Sequence, residues 1–183
     1  MTTNPLRIFL CDLTHDSIVL VSDTIPINVG FIGAYAKKAL GDAIDVSLFK
    51  YPQTAIDAII ESPPDIIALS NYSWNSNLSN HLAAVAKQAN PKVVTVQGGT
   101  NFPHTPDQQL DYLISRPATD IHTVLEGETA FLNIARRVLA ARYGEMEIFE
   151  APIDGTVFVD PASRHSANPV LIQGAQPTRI RSL

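Results

Sequence analysis

The chain has 183 residues and a formal net charge of −5 at pH 7. This length suits one domain with a short appendage, and 45% hydrophobic residues provide enough apolar surface for a core, which excludes global disorder. Only 13 lysines and arginines are present, without a basic run, so nucleic acid is excluded as a partner. The sequence shows neither a secretion signal nor an apolar membrane-spanning run, which predicts a cytoplasmic protein without a membrane partner.

Short apolar runs alternate with segments of helical periodicity, a pattern typical of a parallel sheet with helices on both faces. The predicted strands are Leu6–Leu10, Ile44–Phe49, Asp65–Ser70, Lys92–Gln97 and Asp120–Leu125. The predicted helices are Val29–Leu40, Thr54–Glu61, Asn77–Asn90, Asp107–Ser115 and Glu128–Tyr143. In the first helix, the residues expected to face inward are Phe31, Ile32, Tyr35 and Leu40. The alternation predicts an α/β fold with a doubly wound, mostly parallel five-stranded sheet of Rossmann or flavodoxin type.

The periodicity ends at Gly144, which divides the chain into residues 1–145 and residues 146–183. In the second part, Asp154-Gly155 predicts the turn of a small C-terminal β-hairpin. The residues from Pro161 onward are polar, contain prolines and lack periodicity, as expected of a linker.

Ligands of open α/β sheets bind at the carboxyl ends of the strands, so the loops there are the candidate site. The loop after Cys11 is about 18 residues long, which exceeds the usual length and predicts a segment that covers a ligand. The glycine fingerprints of dinucleotide and Walker-type phosphate loops are both missing from the sequence. A phospho-receiver site is also excluded, because Ser70-Asn71 and Glu126-Gly127 stand where its aspartate and lysine would be.

Uncharged polar side chains follow the third and fourth predicted strands. Ser70, Asn71, Tyr72 and Ser73, followed by Trp74, offer donors, acceptors and flat rings without charge, as a neutral ligand rich in amides requires. Ser76 or Asn77 is expected to cap the next helix instead. After the fourth strand, the candidates are Gly98, Gly99, Thr100 and Asn101, where paired glycines let a ligand approach the backbone or simply form a tight turn.

The loop after the fifth strand contributes Glu126 and Gly127 as candidates. The helix dipole explains an acidic residue at Glu128, but it does not explain Glu126. His122 and Glu126 are not expected to converge on a metal, because residues four apart on a strand do not share a site. No catalytic or metal-ligating residue is therefore predicted, although His15 stays an alternative ligand in the first loop.

Three stretches resemble the cobalamin (B12)-binding domain that precedes the catalytic domain of B12-dependent radical SAM enzymes, including iron-sulfur oxidoreductases similar to the anaerobic Mg-protoporphyrin IX monomethyl ester cyclase. They are Pro26–Tyr35 (PINVGFIGAY), Gln97–Pro103 (QGGTNFP) and Asp120–Phe131 (DIHTVLEGETAF), the last similar to D-x-V-V-x-G-E-x-E-x-x-F. Their order and spacing match over roughly residues 6 to 140.

The resemblance implies that cobalamin is the cofactor and lies at the carboxyl edge of the sheet. Its dimethylbenzimidazole tail would pass Ser70, Gly98 and Gly99, with Glu126 and Gly127 near the ribose and phosphate. Asn71, Ser73 and Thr100 would meet the corrin amides. Asp12-Leu13-Thr14-His15-Asp16 departs from the D-x-H-x-x-G of methionine synthase-like relatives, which implies base-off cobalamin without a protein imidazole on cobalt.

The resemblance also implies a radical SAM domain in the same parent chain as the partner of this domain. That domain would hold a [4Fe-4S] cluster and S-adenosylmethionine through C-x-x-x-C-x-x-C, which a chain with the single cysteine Cys11 lacks. The domain by itself is therefore expected to be non-catalytic. The alternative hypothesis is an interaction module of the same fold that has lost cobalamin and docks a partner domain.

Overall fold

A computed structural model describes residues 4–15, 25–178 and 180. The strands in these ranges are β1 (Leu6–Cys11), β2 (Ile44–Phe49), β3 (Ile66–Ser70), β4 (Val94–Gly98), β5 (Ile121–Thr123), β6 (Thr156–Val159) and β7 (Leu171–Gln173). The helices are α1 (Ile27–Leu40), α2 (Pro52–Glu61), α3 (Ser76–Ala89), α4 (Pro106–Ile114) and α5 (Gly127–Arg142), and a short 3-10 turn spans Gly41–Ala43. The predicted helices and the first four strands agree within two residues at each end.

The strands form one sheet in the order β2-β1-β3-β4-β5-β6-β7. The pairs among β1 to β5 are parallel, whereas β6 pairs antiparallel with β5 and with β7. The order of the parallel strands is that of flavodoxin-like folds, in which the chain changes direction between β1 and β3 and opens a crevice at the carboxyl edge. The predicted α/β class is confirmed, with seven strands in a mixed sheet instead of five.

Two apolar layers cover the faces of the parallel strands. On one face, α1 and α5 pack over alternate strand residues such as Leu10, Ile66 and Val96. On the other face, α2 and α3 cover Phe9, Ile67 and the remaining alternate positions. Burial on both faces explains the continuous apolar run of the central strand β3, whereas the edge strand β2 (IDVSLF) alternates with polar residues. A third, smaller cluster joins α4 to β6 and β7.

Helix α1 faces the sheet only partly with the residues predicted, since Ile32 and Leu40 pack against the core but Phe31 does not. Its buried residues are Val29, Gly33 and Ala36, whereas Phe31 is 44% exposed. A Cβ on Gly33 would lie 3.0 Å from Leu10 Cδ1, so this glycine lets the helix approach the sheet closely. The prediction that Phe31 faces inward is wrong, because the packed face of α1 is centred on the buried Val29, Gly33 and Ala36.

The C-terminal hairpin is present and a turn lies at Asp154-Gly155, but the prediction that this turn connects the hairpin strands is wrong. Gly155, at φ +81°, leads directly into β6, and the hairpin is formed by β6 and β7 through residues 160–170. Strand β5 ends at Thr123, earlier than the predicted Leu125. The predicted covering segment of the long first loop lies largely outside the described residues. Among the helices that are described, none combines the length and apolar character needed to cross a membrane.

Candidate ligand slot at the carboxyl edge of the sheet

A cavity of about 330 Å³ opens between the carboxyl edge of the sheet and helices α1 and α5. Its floor is a row of three side chains from adjacent strands, Leu10, Ala68 and Val96, which are direct neighbours in the strand register. The next row toward the edge is Ser70, Gly98 and Thr123. The floor is therefore apolar and the strand row at the rim is polar but uncharged, as expected of a site that accepts a flat, uncharged group, while Glu126 and Glu128 also line the cavity. We call this cavity the slot.

The two helices form the walls of the slot. Helix α1 contributes Val29, Phe31 and Ile32, and α5 contributes Gly127 and Phe131. A Cβ on Gly127 would lie 2.8 Å from Ile32 Cδ1, so glycine at the start of α5 leaves the space that the α1 side chain occupies. The exposed Phe31, which sequence analysis placed in the core, borders the slot.

Two glycines leave the rim of the slot without side chains at their positions. A Cβ on Gly98 would collide with Oγ1 of Thr123. Gly99 has φ +134°, and a Cβ there would lie 2.5 Å from the backbone oxygen of Asn71. The paired glycines are therefore required by contacts within the rim, and they also leave bare backbone where a ligand would enter.

The hydroxyl of Ser70 is fixed at the rim by two neighbours. It donates to Asp12 Oδ1 (2.6 Å) and accepts from Asn75 Nδ2 (2.8 Å). Asn75 also donates to the backbone oxygen of Leu13 (3.2 Å), and its Oδ1 accepts from the amide of Tyr72 (2.8 Å). Asn75, and neither Ser76 nor Asn77, occupies the cap position of α3, so that prediction is wrong. Asn75 uses its side chain to join the loop after β1 to the loop after β3.

Below the rim, Asn71 joins the loops after β3 and β4. Its buried Nδ2 lies 2.9 Å from the oxygen of Asn101, 2.7 Å from the hydroxyl of Tyr112 and 3.3 Å from His122 Nε2. The backbone amide of Asn71 donates to the oxygen of Gly98 (2.6 Å), and the amide of Asn101 donates to the oxygen of Asn71 (3.1 Å). The side chain of Asn71 thus stabilises the two loops that carry the rim glycines.

His122 forms the base of this network as a neutral imidazole. Its Nδ1 donates to the oxygen of Thr123 (2.7 Å), which leaves Nε2 as the acceptor for Asn71. Its ring stacks on Phe102 with centroids 3.7 Å apart. Burial, the largest cause, and the charge of Arg116 together lower the pKa of His122 from 6.5 to about 3, against the opposing hydrogen bond to Thr123.

The lowered pKa of His122 predicts a loss of stability at mildly acidic pH. Below about pH 6.5 the unfolded chain binds a proton at this residue, whereas the folded chain does not until about pH 3. The unfolding free energy should therefore fall by about 1.4 kcal/mol for each pH unit below 6.5, or about 2 kcal/mol by pH 5. Urea unfolding at pH 7 and pH 5 measures this difference.

The His122→Gln variant should lose less stability than the wild-type chain over the same pH interval. His104→Gln is the matched control, because His104 is an exposed histidine in the loop before α4. Equal losses in the wild-type chain and in His122→Gln would contradict the prediction.

An aromatic pair stands beside the mouth of the slot. The rings of Tyr72 and Trp74 stack with centroids 4.6 Å apart, and Trp74 is 62% exposed. Asn28 of α1 donates to the Tyr72 hydroxyl (3.1 Å), and His15 Nε2 lies 2.8 Å from the backbone oxygen of Trp74. Since a carbonyl oxygen only accepts, His15 is protonated at Nε2 in this contact. The first loop is thereby attached to the loop after β3.

The loop between β5 and α5 forms the opposite side of the mouth. Leu125 has φ +63°, an uncommon conformation for a residue with a side chain, and it is 84% exposed. The pattern D-x-V-V-x-G-E-x-E-x-x-F has glycine at this position. Glu126 Oε2 accepts from the backbone amide of Ile180 (3.0 Å), so the C-terminal segment passes the mouth of the slot.

The ten residues predicted as binding residues do not all lie at the slot. Six of them line it: Ser70, Tyr72, Gly98, Gly99, Glu126 and Gly127. Asn71 and Asn101 hold the loops together, Ser73 is exposed beside the aromatic pair, and Thr100 is exposed beyond the rim. Sequence analysis missed the floor residue Ala68 and the exposed Leu125, since a small strand residue and a loop leucine give no signal on their own.

A metal site is not formed by the described part of the chain, in which no group of three or more histidine, cysteine, aspartate or glutamate side chains converges. Cys11 is a buried free thiol in β1, and burial raises its pKa well above the ordinary value.

Curated relatives are longer proteins that share this region. The chain is 31% identical over 121 residues to the 2-(S-pantetheinyl)-carbapenam-3-carboxylate methyltransferase of Streptantibioticus cattleyicolor, with 63% of this chain and 17% of that protein covered. It is 33% identical over 127 residues to TokK, a cobalamin-dependent radical SAM methyltransferase of Streptomyces tokunonensis, with 66% of this chain and 17% of that protein covered. The chain thus spans about a sixth of the length of either relative.

Solved structures share the fold. The cobalamin-dependent S-adenosylmethionine radical enzyme OxsB, with aqua-cobalamin and S-adenosylmethionine bound, matches 96% of this chain and 23% of its own, with a TM-score of 0.70 and 16% identity. A cobalamin-binding protein of Desulfitobacterium hafniense matches 74% of this chain and 59% of its own, with a TM-score of 0.52 and 14% identity. The family model of the B12 binding domain matches residues 17–135. The expected cofactor, cobalamin, is thereby supported, and the chain belongs to the B12-binding domain family.

Proposed function

We propose that this domain holds base-off cobalamin at the carboxyl edge of its sheet and presents it to a radical SAM domain of the same protein. The observation that carries the proposal is the slot. Its floor is apolar, its rim has glycines without side chains, and the strand residues that line it are uncharged. A dimethylbenzimidazole group is flat and uncharged, and it meets these requirements. Ala68, whose small side chain leaves the middle of the floor open, would lie against it.

The rim would hold the parts of the cofactor outside the slot. Bare backbone at Gly98 and Gly99 admits the linker between the tail and the corrin ring, and Leu125 and the Tyr72–Trp74 pair offer apolar surface to the ring. Bound cobalamin supplies a cobalt centre that carries an alkyl group. The residues of this chain orient the cofactor, exclude water from the slot and leave the reacting face open toward the partner domain.

The absence of a protein ligand on cobalt is part of the proposal. His15 is the candidate imidazole of the first loop, and its Nε2 is engaged by the backbone oxygen of Trp74. An imidazole held in this way by a neighbouring loop must break that hydrogen bond, or use Nδ1, to reach cobalt. We therefore assign His15 to holding the first loop.

The partner is a domain outside this chain. The chain has one cysteine, which cannot provide the three thiolates of a [4Fe-4S] cluster, so the cluster and S-adenosylmethionine would belong to that domain. Residues 146–183 would be the hairpin and linker that lead toward it. The contact between Ile180 and Glu126 supports this assignment, because it brings the linker past the mouth of the slot.

Retention of the cofactor tests the proposal. The purified chain is incubated with hydroxocobalamin and desalted, and we expect corrin absorbance close to one equivalent together with a raised melting temperature. Flavin mononucleotide is the matched control ligand, because it fits many flavodoxin-like folds but carries a phosphate dianion. A colourless protein with an unchanged melting temperature would favour an interaction module instead.

A separate measurement tests whether the bound cobalamin is base-off. The electron paramagnetic resonance spectrum of the bound cob(II)alamin should lack nitrogen superhyperfine splitting, since neither dimethylbenzimidazole nor imidazole would ligate cobalt. Splitting that disappears in the His15→Ala variant would instead identify His15 as the axial ligand.

A further inference from the structure

A second cavity, of about 730 Å³, lies on the other face of the sheet, between α4 and the ends of β5, β6 and β7. It is more than twice the volume of the slot. Its inner wall includes His122 of β5 and Val157 of β6, which are neighbours in the antiparallel register. Of the residues assigned above to the cofactor tail, Gly99 also lines this cavity, whereas Ala68, Ser70 and Gly98 do not.

The lining of the second cavity mixes apolar and polar side chains, and its titratable groups are Tyr72, His104 and His122. Aspartate, glutamate, lysine and arginine are missing from its described lining, whereas glutamines and threonines recur there. Two of the glutamines already pair as amides, since Gln173 Nε2 donates to Gln109 Oε1 (2.8 Å) and Gln109 Nε2 donates to the oxygen of Pro103 (2.9 Å). His122 adds a neutral imidazole. This lining suits primary amides, which donate and accept hydrogen bonds without charge.

The two cavities meet at one ridge. Tyr72, Gly99, Thr123 and Leu125 line both of them, so the slot and the second cavity open side by side on opposite faces of the sheet. A ligand with its tail in the slot must place its ring over this ridge. The periphery of that ring then lies over the mouth of the second cavity.

We propose that the second cavity receives amide side chains from the periphery of the corrin ring, an inference that rests on the cobalamin-binding function proposed above. The corrin periphery carries acetamides and propionamides, which match the uncharged hydrogen-bonding lining. A carboxylate would enter this cavity without a lysine or arginine partner, at the energetic cost of a poorly compensated charge. The cavity thus distinguishes cobalamin from its hydrolysed derivatives.

The test uses the 183-residue chain and the b-, d- and e-monocarboxylates of cobalamin, in each of which one propionamide is a carboxylate. Dissociation constants are measured by absorbance titration or calorimetry. We expect at least one monocarboxylate to bind about tenfold more weakly than cobalamin, because its carboxylate meets the uncharged cavity. Equal affinity for cobalamin and all three derivatives would overturn the inference while leaving the proposed function intact.

A cavity-filling variant locates the effect. Gln173→Trp places a bulky ring at the mouth of the second cavity from the edge strand β7, and it should weaken cobalamin binding about tenfold and remove the discrimination against the carboxylate. Gln108→Trp is the matched control, because Gln108 is exposed on α4 and does not line the cavity. Discrimination that persists in Gln173→Trp would overturn the inference. A wild-type chain that binds no cobalamin would overturn the proposed function as well.

Discussion

The Ala68→Phe variant is expected to lose cobalamin affinity by about a hundredfold or more. Ala68 lies at the centre of the slot floor, between Leu10 of β1 and Val96 of β4. A phenyl ring at this position would fill the space that we assign to the dimethylbenzimidazole tail. Because the ring enters an existing cavity, the unfolding free energy should stay the same or rise.

Cobalamin titration and urea unfolding of the same preparation measure the two effects. Ala39→Phe is the matched control, since Ala39 is exposed on α1 away from the slot, and this variant should bind cobalamin as the wild-type chain does. Cobinamide, which lacks the nucleotide tail, should bind equally to Ala68→Phe and to the wild-type chain. If Ala68→Phe retains full cobalamin affinity, the tail does not enter the slot.

The Asn71→Leu variant is expected to lose about 3 kcal/mol of unfolding free energy. Leucine has a similar size but cannot donate, so the oxygen of Asn101, the hydroxyl of Tyr112 and Nε2 of His122 each lose a buried partner. Because Asn71 stabilises the loops that carry Gly98 and Gly99, cobalamin affinity should fall as well.

Chemical unfolding at pH 7 measures the stability effect. The matched control is Asn77→Leu, a change of the same kind at an exposed position of α3 that should alter stability by less than about 0.5 kcal/mol. Equal stability of the two variants would show that the network below the rim contributes little to the fold.

The order of elements was predictable because the local signals agreed with the tertiary fold. The central strand β3 is buried on both faces, and its continuous apolar run within Ile66–Ser70 indicates that state directly. Proline at the first turn marks the starts of α2 and α4. The end of β5 was less predictable, because Leu125 adopts a positive φ angle, which a leucine in the sequence does not indicate.

The site was predictable only in part, because the residues at the rim and the hydrogen-bond network below the rim depend on tertiary contacts. Ser70, Gly98 and Gly99 follow their strands directly, so the topology alone brings them together. Asn71 was predicted to meet the ligand, a role that stays a prediction, and its side chain bonds to Tyr112 and His122 from distant elements. These partners lie 41 and 51 positions away in the sequence, so no local sequence pattern indicates that the polar side chain contacts them.

Because Leu125 has a left-handed backbone conformation, selection for thermostability and selection for cofactor binding should favour different residues at this position. A leucine in this conformation costs about 1 kcal/mol or more compared with glycine, and its exposed side chain gains little from the fold in return. A library screened only for heat resistance would therefore enrich glycine at position 125. The enriched proteins would lack the leucine side chain on the ridge between the two cavities. Variants intended to carry a corrinoid should therefore be screened for retained corrin absorbance.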